Sequence, residues 1–248
     1  IDRTTNTDFW RKAINKEMAK VKITWATHHG HTPQQIREGK VAEFIGFQEI
    51  GCHIVFDIKM DFTRKARFVA GGHTTTAPSP LTYSSVVSRD SVRLAFLIAA
   101  LNDIDIMSCD LENAYLNAPC REKIWFEGGL ECGKDRGKVC VVVRSLYGFK
   151  SAGAAFRSSL AQILRDLGYE SSRADLDVWM RKAVRDDGHQ YYEMLFVYVD
   201  DILALSHRAK EAIEEITVFY KAKDGSIKPP DIYLGANVSK MQLPDGRE

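Results

Sequence analysis

Charge of one sign is lacking in this sequence: 34 lysines and arginines are balanced by 33 aspartates and glutamates, for a net charge of +1. A protein that holds a polyanion through bulk charge is thereby excluded, and nucleic-acid binding would have to use local positive patches. The run Arg64-Lys65-Ala66-Arg67 is such a patch, although alone it reads first as a solvated turn. Paired cysteines are lacking too. Cys52, Cys109, Cys120, Cys132 and Cys140 are irregularly spaced, with no Cys-x-x-Cys. That argues against a cysteine zinc site or a disulfide framework, and for reduced thiols in an intracellular compartment. No apolar run reaches the ~18 residues of a membrane span, and no signal peptide opens the chain. The start at Ile1 and the end at Glu248 suggest a fragment or a processed product.

What is present suffices for a folded core. In 248 residues, 45% hydrophobic and 27% charged side chains fit one large or two small globular domains. Trp10 to Val21 has helical spacing, with Asp8 ahead of it as a cap. Residues 44–56 suggest strand and turn, residues 58–70 a hairpin around the basic patch, and residues 71–80 a breaker-rich loop. Ser91 to Leu101 reads as a buried helix, and residues 103–109 as a strand ending at Asp110. Further strands are expected over residues 139–143, 191–205 and 232–238, and helices over 151–167 and 213–220. The order predicts an α+β fold in which helices cover one face of an antiparallel sheet.

The chemistry concentrates in Leu195-Phe196-Val197-Tyr198-Val199-Asp200-Asp201-Ile202-Leu203-Ala204-Leu205. Two β-forming segments flank adjacent carboxylates, which a hairpin would carry at its tip. Adjacent acids repel, and a divalent cation would compensate them; an acidic β-turn fits the same spacing. Asp110 also ends an apolar strand. If that strand lies beside the hairpin, Asp110 and Asp200 converge, and carboxylates from separate strands can hold paired cations for phosphoryl transfer. Oxygen ligands suit Mg²⁺, with Mn²⁺ as a substitute.

Tyr198-Val199-Asp200-Asp201 resembles the Tyr-x-Asp-Asp signature of reverse transcriptases, and its companions resemble the Ty1/copia retrotransposon type. Lys65-Ala66-Arg67-Phe68-Val69-Ala70, Thr82-Tyr83-Ser84-Ser85-Val86-Val87 with Ser91-Val92-Arg93, Asp110-Leu111-Glu112-Asn113-Ala114-Tyr115-Leu116-Asn117, Leu146-Tyr147-Gly148-Phe149-Lys150 and Ile232-Tyr233-Leu234-Gly235 are similar to that family's blocks, in its order. The resemblance implies a right-hand polymerase with fingers and a palm, the thumb largely absent. Residues 1–100 would be mainly fingers with the first palm elements. Residues 101–248 would be mainly palm, with a fingers excursion near 120–150 and a primer-grip-like end.

The resemblance also implies roles. Asp110, Asp200 and Asp201 would be the catalytic, metal-holding carboxylates. Lys65 and Arg67 would neutralise the triphosphate of a dNTP, and Tyr115 would lie under the sugar as a gate against a 2′-hydroxyl. Tyr147 and Gly148 would line the nucleotide site. Lys223 would serve as general acid toward pyrophosphate, with Lys221 and Lys228 as rivals, and Lys150 would be a phosphate contact or a surface lysine. Partners would be an RNA or DNA template with a DNA primer, in the cytoplasm or a virus-like particle, with no membrane. The sequence departs from the family at Gly71, where arginine is usual, and after Lys150, where Phe156 can still fill an aromatic place. Two other classes fit part of the pattern: an inert retroelement remnant that binds nucleic acid or protein, and another palm enzyme such as a nucleotide cyclase.

Overall fold

The computed structural model describes residues 2–76 and 82–241. In chain order the helices are α1 (Asp2–Thr5), α2 (Phe9–Val21), α3 (Pro33–Arg37), α4 (Arg89–Asn102), α5 (Ala114–Asn117), α6 (Ala152–Asp166) and α7 (Ala209–Thr217). The strands are β1 (Trp25–His28), β2 (Gln48–Glu49), β3 (Cys52–Ile58), β4 (Arg64–Ala70), β5 (Ile106–Asp110), β6 (Ile124–Glu127), β7 (Val139–Val142), β8 (Glu170–Ser171), β9 (Val178–Val184), β10 (Gln190–Tyr198), β11 (Asp201–Leu205), β12 (Ile232–Tyr233) and β13 (Ala236–Asn237). They fall into two units, Ile1–Tyr83 with Tyr115–Arg157, and Ser84–Ala114 with Ser158–Glu248.

The first unit holds a mixed sheet, β1-β7-β6-β2, and the antiparallel hairpin β3–β4. In β4 the side chains alternate: Ala66, Phe68 and Ala70 are buried, while Lys65, Arg67 and Val69 take the opposite face. α2 packs along β4, where Glu17 accepts a hydrogen bond from the Phe68 amide at 3.1 Å. The rings of Trp25, Phe68 and Phe126 meet pairwise at 5.5–5.9 Å in the core. Cys132 and Cys140 are buried in the same core, and burial pushes their thiols up to about 11 and about 12. They serve as small neutral apolar groups. The hairpin expected over residues 58–70 begins earlier, at Cys52, with its turn at residues 59–63. The basic run therefore lies on a strand rather than in a turn. Of the loop expected over residues 71–80, residues 77–80 lie outside the described residues, and Gly72–Thr74 forms a 3-10 turn.

The second unit is built on an antiparallel sheet of order β5-β11-β10-β9-β8. α4 starts at Ser88, whose hydroxyl accepts the Ser91 amide at 3.1 Å, and stops at Asp103 in the left-handed conformation. Its small inward residues Ala95 and Ala99 pack with Phe196, Leu203 and Leu205 of the sheet. The helix is buried on one face rather than all round, because Leu94, Leu97 and Leu101 are exposed. In β11, Ile202 and Ala204 alternate with Leu203 and Leu205, yet all four are buried. The sheet is thus covered on both faces at its centre, not on one, and α7 also packs on β11.

Glu193 of β10 is a buried carboxylate with a full set of partners. It accepts bonds from Tyr169 at 2.5 Å, Arg181 at 2.7 Å and Ser206 at 2.6 Å. Arg181 also reaches Glu215 at 2.7 Å and the Leu167 carbonyl at 2.8 Å. This network ties β9, β10 and α7 together behind the hairpin that carries the acids.

Candidate active site

β10 and β11 are joined through Val199 and Asp200, with Tyr198 paired to Asp201. A two-residue connection of this kind needs positive φ at its first position. Val199 supplies it at φ 57°, an unfavourable conformation for a β-branched residue. The strong strand formers on either side, Leu195 to Val197 and Ile202 to Leu205, hold the turn in place. β5 pairs with the outer edge of β11, and its last residue, Asp110, stands directly opposite Asp201. The Leu111 amide donates to the Asp200 carbonyl at 2.8 Å, which closes the three-strand junction. Opposed residues share a sheet face, so Tyr198, Asp201 and Asp110 form one row across three strands.

The segment after α7 runs along the free edge of β5. The Lys223 amide donates to the Asp110 carbonyl at 2.8 Å, and the Glu112 amide to the Lys221 carbonyl at 2.7 Å. Ser108 and Lys228 exchange backbone bonds at 2.8 and 3.2 Å. Ser226 Oγ accepts from the Asp110 amide and donates to its carbonyl, each at 3.3 Å. This backbone frame brings the Lys223 ammonium onto Asp110 Oδ2 as an ion pair. The rivals are engaged elsewhere: Lys221 pairs with Glu112 at 3.0 Å and Lys228 with Asp231 at 2.5 Å.

Negative charge remains in excess. Burial, reinforced by the charges of Asp200 and Asp110 and opposed by Lys223, pushes the Asp201 carboxyl up to about 6. Asp110 Oδ1 is buried with no hydrogen-bond partner among the described residues. Tyr233, in the β12–β13 hairpin, packs into the core under α4, and burial followed by the Asp201 charge raises its phenol. Three carboxylates, an orphaned buried oxygen and a carboxyl held up by burial and like charge fit a hard divalent cation bound through oxygen.

The other expected site residues belong to the first unit. Lys65 and Arg67 share a face of β4. Tyr115 is half-buried, edge-on to Tyr147 at 6.2 Å and to Phe156 at 6.3 Å. Gly148 has φ 95°, and a Cβ there would meet the Ala70 carbonyl oxygen at 2.2 Å. Its close backbone approach is thus to β4 of its own chain. Lys150 donates to the carbonyls of Thr75 at 2.8 Å and His73 at 3.3 Å, so it anchors the segment after β4. Ser226 went unread in the sequence, where its only signal is the turn-forming Asp224-Gly225 before it.

The chain belongs to the reverse transcriptase (RNA-dependent DNA polymerase) family, which it matches over residues 41–242. Within that family it is a Ty1/copia-type region. It is 26% identical over 239 residues to the transposon Ty1-LR2 Gag-Pol polyprotein of Saccharomyces cerevisiae, covering 94% of this chain and 12% of that protein. The Ty1-ER2 and Ty1-DR4 Gag-Pol polyproteins of the same yeast are likewise 26% identical, over 94% and 86% of this chain and 12% of each relative. The chain therefore spans about an eighth of the length of these relatives. The family generally uses divalent metals, a nucleic-acid template and primer, and dNTPs. No helix among the described residues is long and apolar enough to cross a membrane.

Proposed function

We propose that this chain is the fingers and palm of a reverse transcriptase, which extends a DNA primer on RNA, and also DNA, templates. The observation that carries the reading is the cross-strand pairing of Asp110 with Asp201, beside Asp200 in the turn. The sheet of the second unit acts as the palm and the β3–β4 hairpin as part of the fingers.

Asp110, Asp200 and Asp201 would hold Mg²⁺, which when bound neutralises charge on the attacking and leaving oxygens. The chain's own residues do the rest. Backbone bonds on both edges of β5 fix Asp110 in place, so its carboxylate needs little reorganisation during the reaction. Lys223 carries a proton at Nζ beside Asp110 and delivers it to the departing pyrophosphate. Lys65 and Arg67 offset triphosphate charge. Tyr115, held edge-on by Tyr147 and Phe156, presents a rigid ring that leaves no room for a 2′-hydroxyl.

The test is extension of a DNA primer on an RNA template with Mg²⁺ and separately Mn²⁺, using the native chain and an Asp200→Asn/Asp201→Asn variant. Extension confined to the native chain supports the reading. Absence of extension by well-folded protein with either ion favours an inert remnant.

A further inference from the structure

Three polar atoms crowd one another in the first unit, in a group the polymerase reading does not use. His28 closes β1, His31 lies just before the capped helix α3, and Glu43 sits in the 3-10 turn Ala42–Phe44. His28 Nε2 is 3.1 Å from His31 Nδ1, and each nitrogen is 3.3 Å from Glu43 Oε1. The imidazole rings are nearly parallel, with an interplanar angle of 8° and centroids 5.3 Å apart. His28 is also fixed edge-on against the buried Phe44 at 5.1 Å, so the cluster is seated on the core.

Protons alone do not satisfy this triangle. An imidazole nitrogen either donates or accepts in the ring plane, never both, and an ionised carboxylate only accepts. Any assignment leaves one edge as two donors or two acceptors facing each other. A cation at the centre would satisfy all three atoms through their lone pairs. Zinc bonds of about 2.0–2.1 Å place neighbouring donors of a tetrahedron roughly 3.3–3.4 Å apart, close to the spacing seen.

We infer that His28, His31 and Glu43 bind a single zinc ion. Two imidazoles and one carboxylate suit zinc and not magnesium, which prefers oxygen alone. His31 and Glu43 are solvent-exposed, so the fourth position opens to water. The ion would staple the end of β1 to the 3-10 turn and so close the segment between residues 28 and 43. The readout is independent of polymerase chemistry, so this inference and the proposed function can fail separately.

The experiment titrates zinc into the metal-free 248-residue chain by calorimetry, with excess Mg²⁺ present to occupy the aspartates. Expected are one equivalent of zinc bound and the intense visible absorption of tetrahedral Co²⁺ when cobalt replaces it. His31→Ala and Glu43→Gln, both at exposed positions, should each weaken binding by at least about tenfold to a hundredfold. Asp110→Asn/Asp201→Asn should leave zinc binding unchanged. No zinc uptake by folded protein would overturn the inference, as would unchanged affinity in both variants, or zinc lost with the aspartates instead.

Discussion

Asp110 and Asp201 stand directly opposite one another on β5 and β11, and the Lys223 ammonium pairs with Asp110. Opposed like charges destabilise a strand pair. The fold carries this cost at the hairpin tip, where Val199 also holds an unfavourable backbone conformation.

Burial of Asp201, together with this opposition, gives a pH dependence that can be measured. The Asp201 carboxyl rises from the ordinary 3.8 to about 6 on folding. The native state therefore binds a proton more readily than the unfolded one, and stability falls as pH rises between these two values. Asp201→Asn should flatten that slope and stabilise the protein at neutral pH by on the order of 1–2 kcal/mol. Urea unfolding at a series of pH values checks this; a variant less stable than the native chain at pH 7 would refute it.

A divalent cation should relieve the same repulsion. Mg²⁺ or Mn²⁺ at about 100 times its dissociation constant should add roughly 2.7 kcal/mol to the native chain. Asp110→Asn should remove most of that gain in thermal unfolding. An equal gain in the variant would place the cation elsewhere.

The Glu193 network predicts a structural effect separate from chemistry. Arg181→Met would leave Glu193 buried beside Tyr169 without its cation, at a cost of about 3–5 kcal/mol. Adding Glu193→Gln should recover a large part of that loss. Additive losses in the double variant, read by denaturant unfolding, would show that the two side chains act independently.

Tyr115→Ala should raise ribonucleotide incorporation relative to deoxyribonucleotide by roughly tenfold or more if, as proposed, Tyr115 gates the sugar site by shape. Unchanged discrimination in single-nucleotide incorporation would remove Tyr115 from the sugar site.

How much of this was legible in the sequence depends on range. α2 and the β10–β11 hairpin are set by local periodicity, and the sequence places them within a residue or two. β6 has four residues, too few to show alternation, and β9 mixes Arg181 and Lys182 into an apolar run because Arg181 pairs with the buried Glu193 and Lys182 faces solvent. α4 reads as buried from composition, yet which of its leucines face outward is decided by the sheet beneath it. The Tyr-x-Asp-Asp segment announces its carboxylates, but the choice among Lys221, Lys223 and Lys228 is made by contacts 113 residues away in sequence. The same holds for His28, His31 and Glu43. A search for cysteine pairs passes over them, and only folding brings the third ligand to the other two.

Chemistry at the paired aspartates is what would separate a catalytic centre from an acidic turn. The most direct measurement is single-nucleotide extension of a DNA primer on an RNA template by the native chain and by Asp201→Asn, with primer–template affinity measured alongside. The expected result is Mg²⁺-dependent extension that falls by about a hundredfold or more in the variant, with affinity nearly unchanged. Extension that persists at the native rate in a folded Asp201→Asn protein would show that the aspartate pair is not a catalytic centre.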